Sequence, residues 1–241
     1  MSNAVKYIAE PKHVREVSLL GTADLAFWAE RLRQARLVPV DHRGKARILV
    51  TAAEMSYVGV PFTEASFSIF VCVPEQEDQQ EAALLLQGFN SSRLLAWCER
   101  RLFATPYQHS RCHASVAPTA SIQIIAGEQI LFEAQMRRGA VSPRHPLSSR
   151  AHGFEGPVFL PSAESGDDRV FYVRIRGHTL TYPFVPGEDA LRLVGNGTAG
   201  VLPDLVSSGF AGEEWVVRMD AAHARSKTYR RAHLLAARSI E

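Results

Sequence analysis

Lysine is scarce in this sequence: of 27 basic residues, four are lysines (Lys6, Lys12, Lys45 and Lys227) and the rest are arginines. Chemistry that needs a primary amine therefore has four candidates, each open to inspection. Cysteine is scarcer still. Cys72, Cys98 and Cys112 are odd in number, scattered and without CxxC spacing, so neither a disulfide framework nor a structural zinc site is expected. No apolar run approaches the ~20 residues that span a bilayer, and the polar, lysine-bearing N-terminus does not read as a signal peptide. The expectation is a cytoplasmic protein with no membrane partner. Excess charge is missing too: the net charge is +2 without a basic run, which argues against nucleic acid as a partner.

The common catalytic signatures are also missing. No GxGxxG follows a strand, and there is no P-loop, GxSxG elbow or HExxH helix, so no cofactor and no metal is expected. His109 and His113 have helical spacing, but Pro106 and the β-prone context favour strand or loop, and two histidines without a third ligand do not make a metal site. Gly195-Asn196-Gly197 with Gly200 reads as a tight turn.

What is present is an ordinary globular composition, 46% hydrophobic and 22% charged over 241 residues, enough for one large domain spanning 1–241. Val14 to Leu20 is β-prone, and Thr22 and Asp24 precede a helix that ends before Pro39. Ala46 to Ala52 and Phe62 to Val73 read as strands, the second with polar residues set awkwardly between Phe67, Ile69 and Val71. Pro74 to Gln80 is a charged connection, and Ala82 to Leu86 fits either state. Asn90 and the serines after it cap a second helix, Ser91 to Arg101, in which Leu94, Leu95, Trp97, Cys98 and Leu102 form a buried stripe.

The Thr105-Pro106 step stops that helix, and a strand begins at Tyr107. Ser121 to Ile125 and Gln129 to Met136 form a hairpin across Ala126-Gly127-Glu128. Arg137 to Phe154 reads as a long surface loop. Further strands fall at Pro157 to Leu160, Val170 to Arg176, Thr179 to Phe184 and Glu214 to Met219, with turns at Gly166-Asp167, Gly177-His178 and Pro186-Gly187. The pattern implies an α+β domain built on a large antiparallel sheet or barrel.

Three separated segments carry a family resemblance: Arg15-Glu16-Val17 with Thr22-Ala23-Asp24 before a helix; Phe62-Thr63-Glu64-Ala65 at the start of a strand; and Glu99-Arg100-Arg101-Leu102-Phe103-Ala104-Thr105-Pro106. In order and spacing they resemble the acetoacetate decarboxylase superfamily over residues 14 to 136. The resemblance implies a cone-shaped antiparallel β-barrel with flanking helices and a mostly apolar interior pocket. In the decarboxylase the lysine just after the proline forms a Schiff base with a β-keto acid, its pKa lowered by burial and by a neighbouring ammonium. Tyr107 and Gln108 stand there in this sequence. The Pro-Tyr pair with a histidine two residues later resembles a branch of the superfamily without the lysine. A further acidic family position falls on Leu49, with Glu54 reachable by a shifted alignment.

The resemblance brings over Arg15 for a substrate carboxylate and Glu64 as the pocket glutamate. A carboxylate in an apolar strand needs a partner, and Arg15 is the expected one. Tyr107 and His109 alternate on one strand face, so both are expected in the pocket, tyrosine to stabilise an enolate and histidine to move a proton. Either could instead fill space or face water. Arg100 is a second candidate for binding substrate, although a cation at a helix C-terminus also complements the dipole. The expected function is a lyase, isomerase or cyclase acting without an imine on a small oxo-acid or polyketide-like substrate; the alternative is a non-catalytic binding protein of the same fold. A homo-oligomer is expected.

Overall fold

A computed structural model of the chain describes residues 5–73, 82–137, 146–151, 153–161, 168–195 and 200–231. The chain opens with β1 (Tyr7–Ala9), the long β2 (Lys12–Asp24) and helix α1 (Leu25–Leu32). A short 3-10 turn, β3 (Val38–Pro39) and β4 (Asp41–His42) lead into the hairpin of β5 (Lys45–Tyr57) and β6 (Val60–Cys72). Next come β7 (Ala82–Asn90), α2 (Arg93–Leu102), β8 (Tyr107–His109), β9 (Arg111–Ser115), β10 (Ser121–Ala126) and β11 (Gln129–Gln135). The last part holds β12 (Ser148–Ala151), β13 (Phe154–Phe159), β14 (Arg169–Pro183), β15 (Ala190–Leu193), α3 (Val201–Ser207), β16 (Ala211–Ser226) and β17 (Tyr229–Arg230).

Seven strands close on themselves. The order β16, β2, β5, β6, β7, β13, β14 returns to β16 through the β14–β16 pairing. Closure gives both edges of each of these strands a ladder partner, which an open sheet cannot do. The sheet is mixed rather than wholly antiparallel, because β7 runs parallel to both β13 and β8. A second sheet, in the order β15, β11, β10, β9, packs against the outside of the ring. None of the helices described is long and apolar enough to cross a membrane.

Alternation along β2, β5 and β6 sorts the side chains into two compartments. Val17, Leu19, Ile48, Val50, Phe67 and Ile69 point outward and are fully buried in the main core with Ile122, Ile124 and Phe132 of the second sheet. The residues between them, Glu16, Ser18, Thr51, Glu64, Ser66 and Ser68, point inward and line a cavity. The awkward polar residues of the Phe62 to Val73 run are therefore cavity residues. Asp24 caps α1, its carboxylate accepting from Phe27 N at 2.6 Å.

Four local expectations change. Val170 to Arg176 and Thr179 to Phe184 belong to one strand, β14, because both halves pair with β16 across a register shift at Gly177 and Leu180. The helix α3 follows Gly200, packing Val201, Leu202 and Leu205 into the core. Within the expected loop Arg137 to Phe154, residues 148–151 pair with β14, while 138–145 and 152 lie outside the described residues. On α2, Leu94, Trp97 and Leu102 are exposed rather than buried, and Ala96 is the buried residue of the helix. The Pro74 to Gln80 connection, the Gly166-Asp167 turn and Asn196-Gly197 lie outside the described residues.

Candidate active site

Helix α2 lies across one end of the barrel. Its start is tied to β6, where Ser91 N donates to Thr63 O at 2.9 Å and Thr63 N donates to Ser91 Oγ at 2.8 Å. Its far end is tied to the strand across the opening: Arg225 Nη1 of β16 donates to Glu99 Oε1 at 2.5 Å, and Thr228 Oγ1 donates to Phe103 O at 3.0 Å. Beneath this bridge lies a cavity of about 780 Å³, inside the size range of small-molecule sites.

The register of β6 sets Glu64 between Ala53 of β5 and Asn90 of β7, with its carboxyl facing that cavity. Tyr107 opens β8 opposite Gly88, and a glycine is needed there: a Cβ on residue 88 would come within 2.6 Å of the Tyr107 ring. The ring passes over Gly88 and the phenol donates a hydrogen bond to Glu64 Oε1. Burial lifts the Glu64 carboxyl to about 7, assisted by the Glu99 charge and opposed by the Tyr107 hydrogen bond and the charges of Arg225 and His223. Burial and the nearby Glu64 and Glu99 carry the Tyr107 phenol well above its ordinary range. It stays protonated and able to donate at any physiological pH.

Glu99 is fixed from two sides, since its other oxygen accepts from Thr105 Oγ1 at 2.7 Å. The Arg225 guanidinium lies between the rings of Phe103 and Phe171, 4.9 and 4.2 Å from their centroids. Its Nε and Nη2 are buried without a hydrogen-bond partner among the described residues.

A second charged cluster lines the same cavity. Glu16 is 1% exposed and accepts from Arg218 Nη1, while its other oxygen lies 2.6 Å from His223 Nε2. Arg218 Nε also donates to Thr179 Oγ1 at 3.0 Å. Burial alone would raise this carboxyl, but the hydrogen bonds and charges of His223 and Arg218 outweigh it and hold the group at about 2. One glutamate titrates near neutrality and the other stays ionised.

Of the residues singled out in the sequence, Glu64 and Tyr107 meet in the cavity and three do not reach it. Arg15 points to the opposite side of β2 from Glu16 and lies 3.5 Å from Glu54, both half-exposed, so Arg15 does not pair with Glu64. His109 is exposed. It is the last residue of β8, paired with Asn90, and it does not line the cavity, whereas Tyr107, two positions earlier on the strand, is buried and does. Arg100 is exposed on α2 and does not line the cavity. Leu49 does line it, whereas Glu54 is engaged by Arg15. Lys6, Lys45 and Lys227 are exposed, and no lysine is among the described residues lining the cavity. No group of three potential metal ligands occurs among the described residues.

The charged residues of these two clusters that were missed from sequence are Glu16, Glu99, Arg218, His223 and Arg225; Arg47, Arg150 and Glu214 also line the cavity. Glu16 and Glu99 stand beside Arg15 and Arg100, and strand or helix phase decides which neighbour points inward. Arg218, alternating with Trp215 and Val217 in a β-prone run, was the available signal, since an arginine in phase with Glu214 and Val216 marks a polar inner face. His223 and Arg225 follow a register shift between Arg218 and Ala221 that period-2 counting does not cross.

No family model and no curated protein sequence matches the chain. Solved structures do match, over nearly its whole length. They include acetoacetate decarboxylase from Legionella pneumophila subsp. pneumophila str. Philadelphia 1, at 15% identity and a TM-score of 0.63, covering 94% of this chain and 89% of that one. An acetoacetate decarboxylase-like enzyme from Sphingomonas wittichii RW1 matches at 12% identity and 0.57, covering 94% of each chain. The enduracididine biosynthesis enzyme MppR complexed with pyruvate matches at 12% and 0.56, covering 95% and 92%. The chain has the acetoacetate decarboxylase-like fold, the α+β barrel that the sequence resemblance implies.

Proposed function

We propose that the protein is an enzyme that moves a proton beside the ketone of an oxo-acid without forming an imine. The observation that carries this reading is Glu64: a carboxyl held near pKa 7, bonded by a phenol, facing a ligand-sized cavity. A base of that strength is half ionised at neutral pH and suited to proton transfer there. In the reaction a C–H bond next to the ketone breaks, its proton passes to Glu64, and the electron pair moves onto the carbonyl oxygen. Once protonated, Glu64 no longer needs the Tyr107 hydrogen bond as strongly, and the phenol is free to donate to the enolate oxygen. Glu16 keeps Arg218 and His223 oriented as hydrogen-bond donors on the other wall of the cavity. Reprotonation at another carbon makes the enzyme an isomerase, attack on a second carbonyl a cyclase, and expulsion of a group at the next carbon a lyase. The fold neighbours favour oxo-acids as the substrate class: MppR is complexed with pyruvate in one structure and with a condensation product of pyruvate and imidazole 4-carboxaldehyde in another.

The test is exchange of the methyl protons of pyruvate for deuterium, followed by proton NMR. Exchange above the buffer rate, lost in Glu64→Gln, is the expected result; equal rates in the two proteins overturn the proposal. Borohydride added with pyruvate is expected to leave the mass unchanged, and a lysine adduct would overturn the imine-free route. Binding without exchange would favour the non-catalytic reading. The exposed Leu94 and Trp97 on the outer face of α2 suit self-association, and we take the protein to be a homo-oligomer.

A further inference from the structure

The cavity is larger than a short oxo-acid requires. At the ~30 Å³ that a water-sized group occupies, the seven heavy atoms of acetoacetate fill roughly a quarter of its 780 Å³. The surplus space is not uniform in character. Toward α2 and the tip of the β5–β6 hairpin it is walled by Ile8, Met55, Tyr57, Phe62, Leu95 and Leu102. The charged residues lining the cavity on α2 and facing it from the end of β16, Glu99 and Arg225, are engaged with each other. The apolar wall also continues out to solvent, where Ile8 is 44%, Tyr57 39% and Leu102 66% exposed. Large side chains held half out of water around the mouth of a site mark a surface that gains by being covered.

We infer that the substrate carries an apolar tail of several carbons, which lies in this vestibule while its oxo-acid head reaches Glu64. The inference rests on the proton-transfer reading for the head and on the vestibule for the tail. Each methylene that leaves water for an apolar wall is worth about 0.8 kcal/mol, or about fourfold in the dissociation constant. Pyruvate and tailed 2-oxo acids share the head and differ only in what fills the mouth.

The experiment is isothermal titration of the full chain with the straight-chain series from pyruvate to 2-oxooctanoate. Affinity is expected to rise about fourfold per methylene over the first few carbons and then level as the vestibule fills. The Leu102→Asp variant, at a position exposed enough to leave folding intact, is expected to flatten that slope. A dissociation constant independent of chain length, a slope untouched by Leu102→Asp, or no binding by any member overturns the inference. Deuterium exchange separates it from the catalytic reading. A flat series with Glu64-dependent exchange removes the tail and keeps the enzyme; a steep series without exchange does the reverse.

Discussion

Two glutamates face one cavity from two strands of the same barrel, and they behave in opposite ways. Glu16 on β2 is held at about 2 and Glu64 on β6 is raised to about 7, though burial pushes both upward. The difference lies in their partners. Glu16 is bonded by the Arg218 guanidinium and by His223, and burial strengthens those attractions as well as the penalty. Glu64 has a neutral phenol for its hydrogen bond and the Glu99 carboxylate as a neighbour, while Arg225, whose charge acts on it, is already engaged by Glu99. Burial therefore yields a structural anion where a guanidinium and a second hydrogen-bonding partner converge on it, and a titratable base where the cation is shared with another carboxylate.

The sharpest way to break this comparison is Glu64→Gln, which is expected to lower deuterium exchange about 10²- to 10⁴-fold with the fold retained. Exchange in the unmodified protein should rise through pH about 7, where Glu64 ionises. Glu16→Gln is expected to act on stability instead. It leaves Arg218 and His223 facing a neutral amide, at a cost of about 3–5 kcal/mol measured by denaturant unfolding at pH 7.

The pH dependence of stability should separate the two groups by sign. The folded pKa of Glu16 lies below its ordinary 4.5, so its contribution is complete above about 4.5 and is lost as pH falls toward 2. The folded pKa of Glu64 lies above 4.5, so its contribution is complete below about 4.5 and is lost as pH rises through about 7. Relative to the unmodified protein, Glu64→Gln should therefore gain on the order of 2 kcal/mol between pH 5 and pH 8. A difference that stays constant over that range would show that Glu64 is not perturbed.

A smaller effect is expected from Tyr107→Phe, which removes the hydrogen bond that lowers the Glu64 pKa. The midpoint of the exchange profile should move up by about one to two pH units, the value of a hydrogen bond to a charged group. Arg15→Ala should do least, below about 1 kcal/mol by thermal unfolding, because the Arg15–Glu54 pair is half-exposed. A large loss of exchange in that variant would return Arg15 to the site.

Much of the fold was legible because local rules act over short spans. The Thr105-Pro106 step sets where α2 gives way to β8, the Gly127 turn sets the β10–β11 hairpin, and alternation identifies β5 and β6. Glu64 and Tyr107 were legible for the same reason, as a polar residue in an apolar strand and the residue after a fixed proline. Arg15, His109 and Arg100 were misplaced because residue type does not reveal the side of an element on which a side chain emerges; one position along the strand or helix exchanges Arg15 for Glu16 and Arg100 for Glu99.

By itself the sequence determined the scarcity of amines, the α+β pattern, the resemblance over residues 14 to 136 and the tyrosine where an amine would stand. Each follows from residue identity or from contacts only a few positions apart. The tertiary structure alone decided that Arg218, His223 and Arg225, about two hundred residues from Glu16 and more than a hundred from Glu64 and Glu99, meet those carboxylates in one cavity. Barrel closure between β16 and β2 brings them there. Whether a buried carboxylate is held ionised or lifted into the neutral range depends on which charges closure places beside it, and no local pattern encodes that.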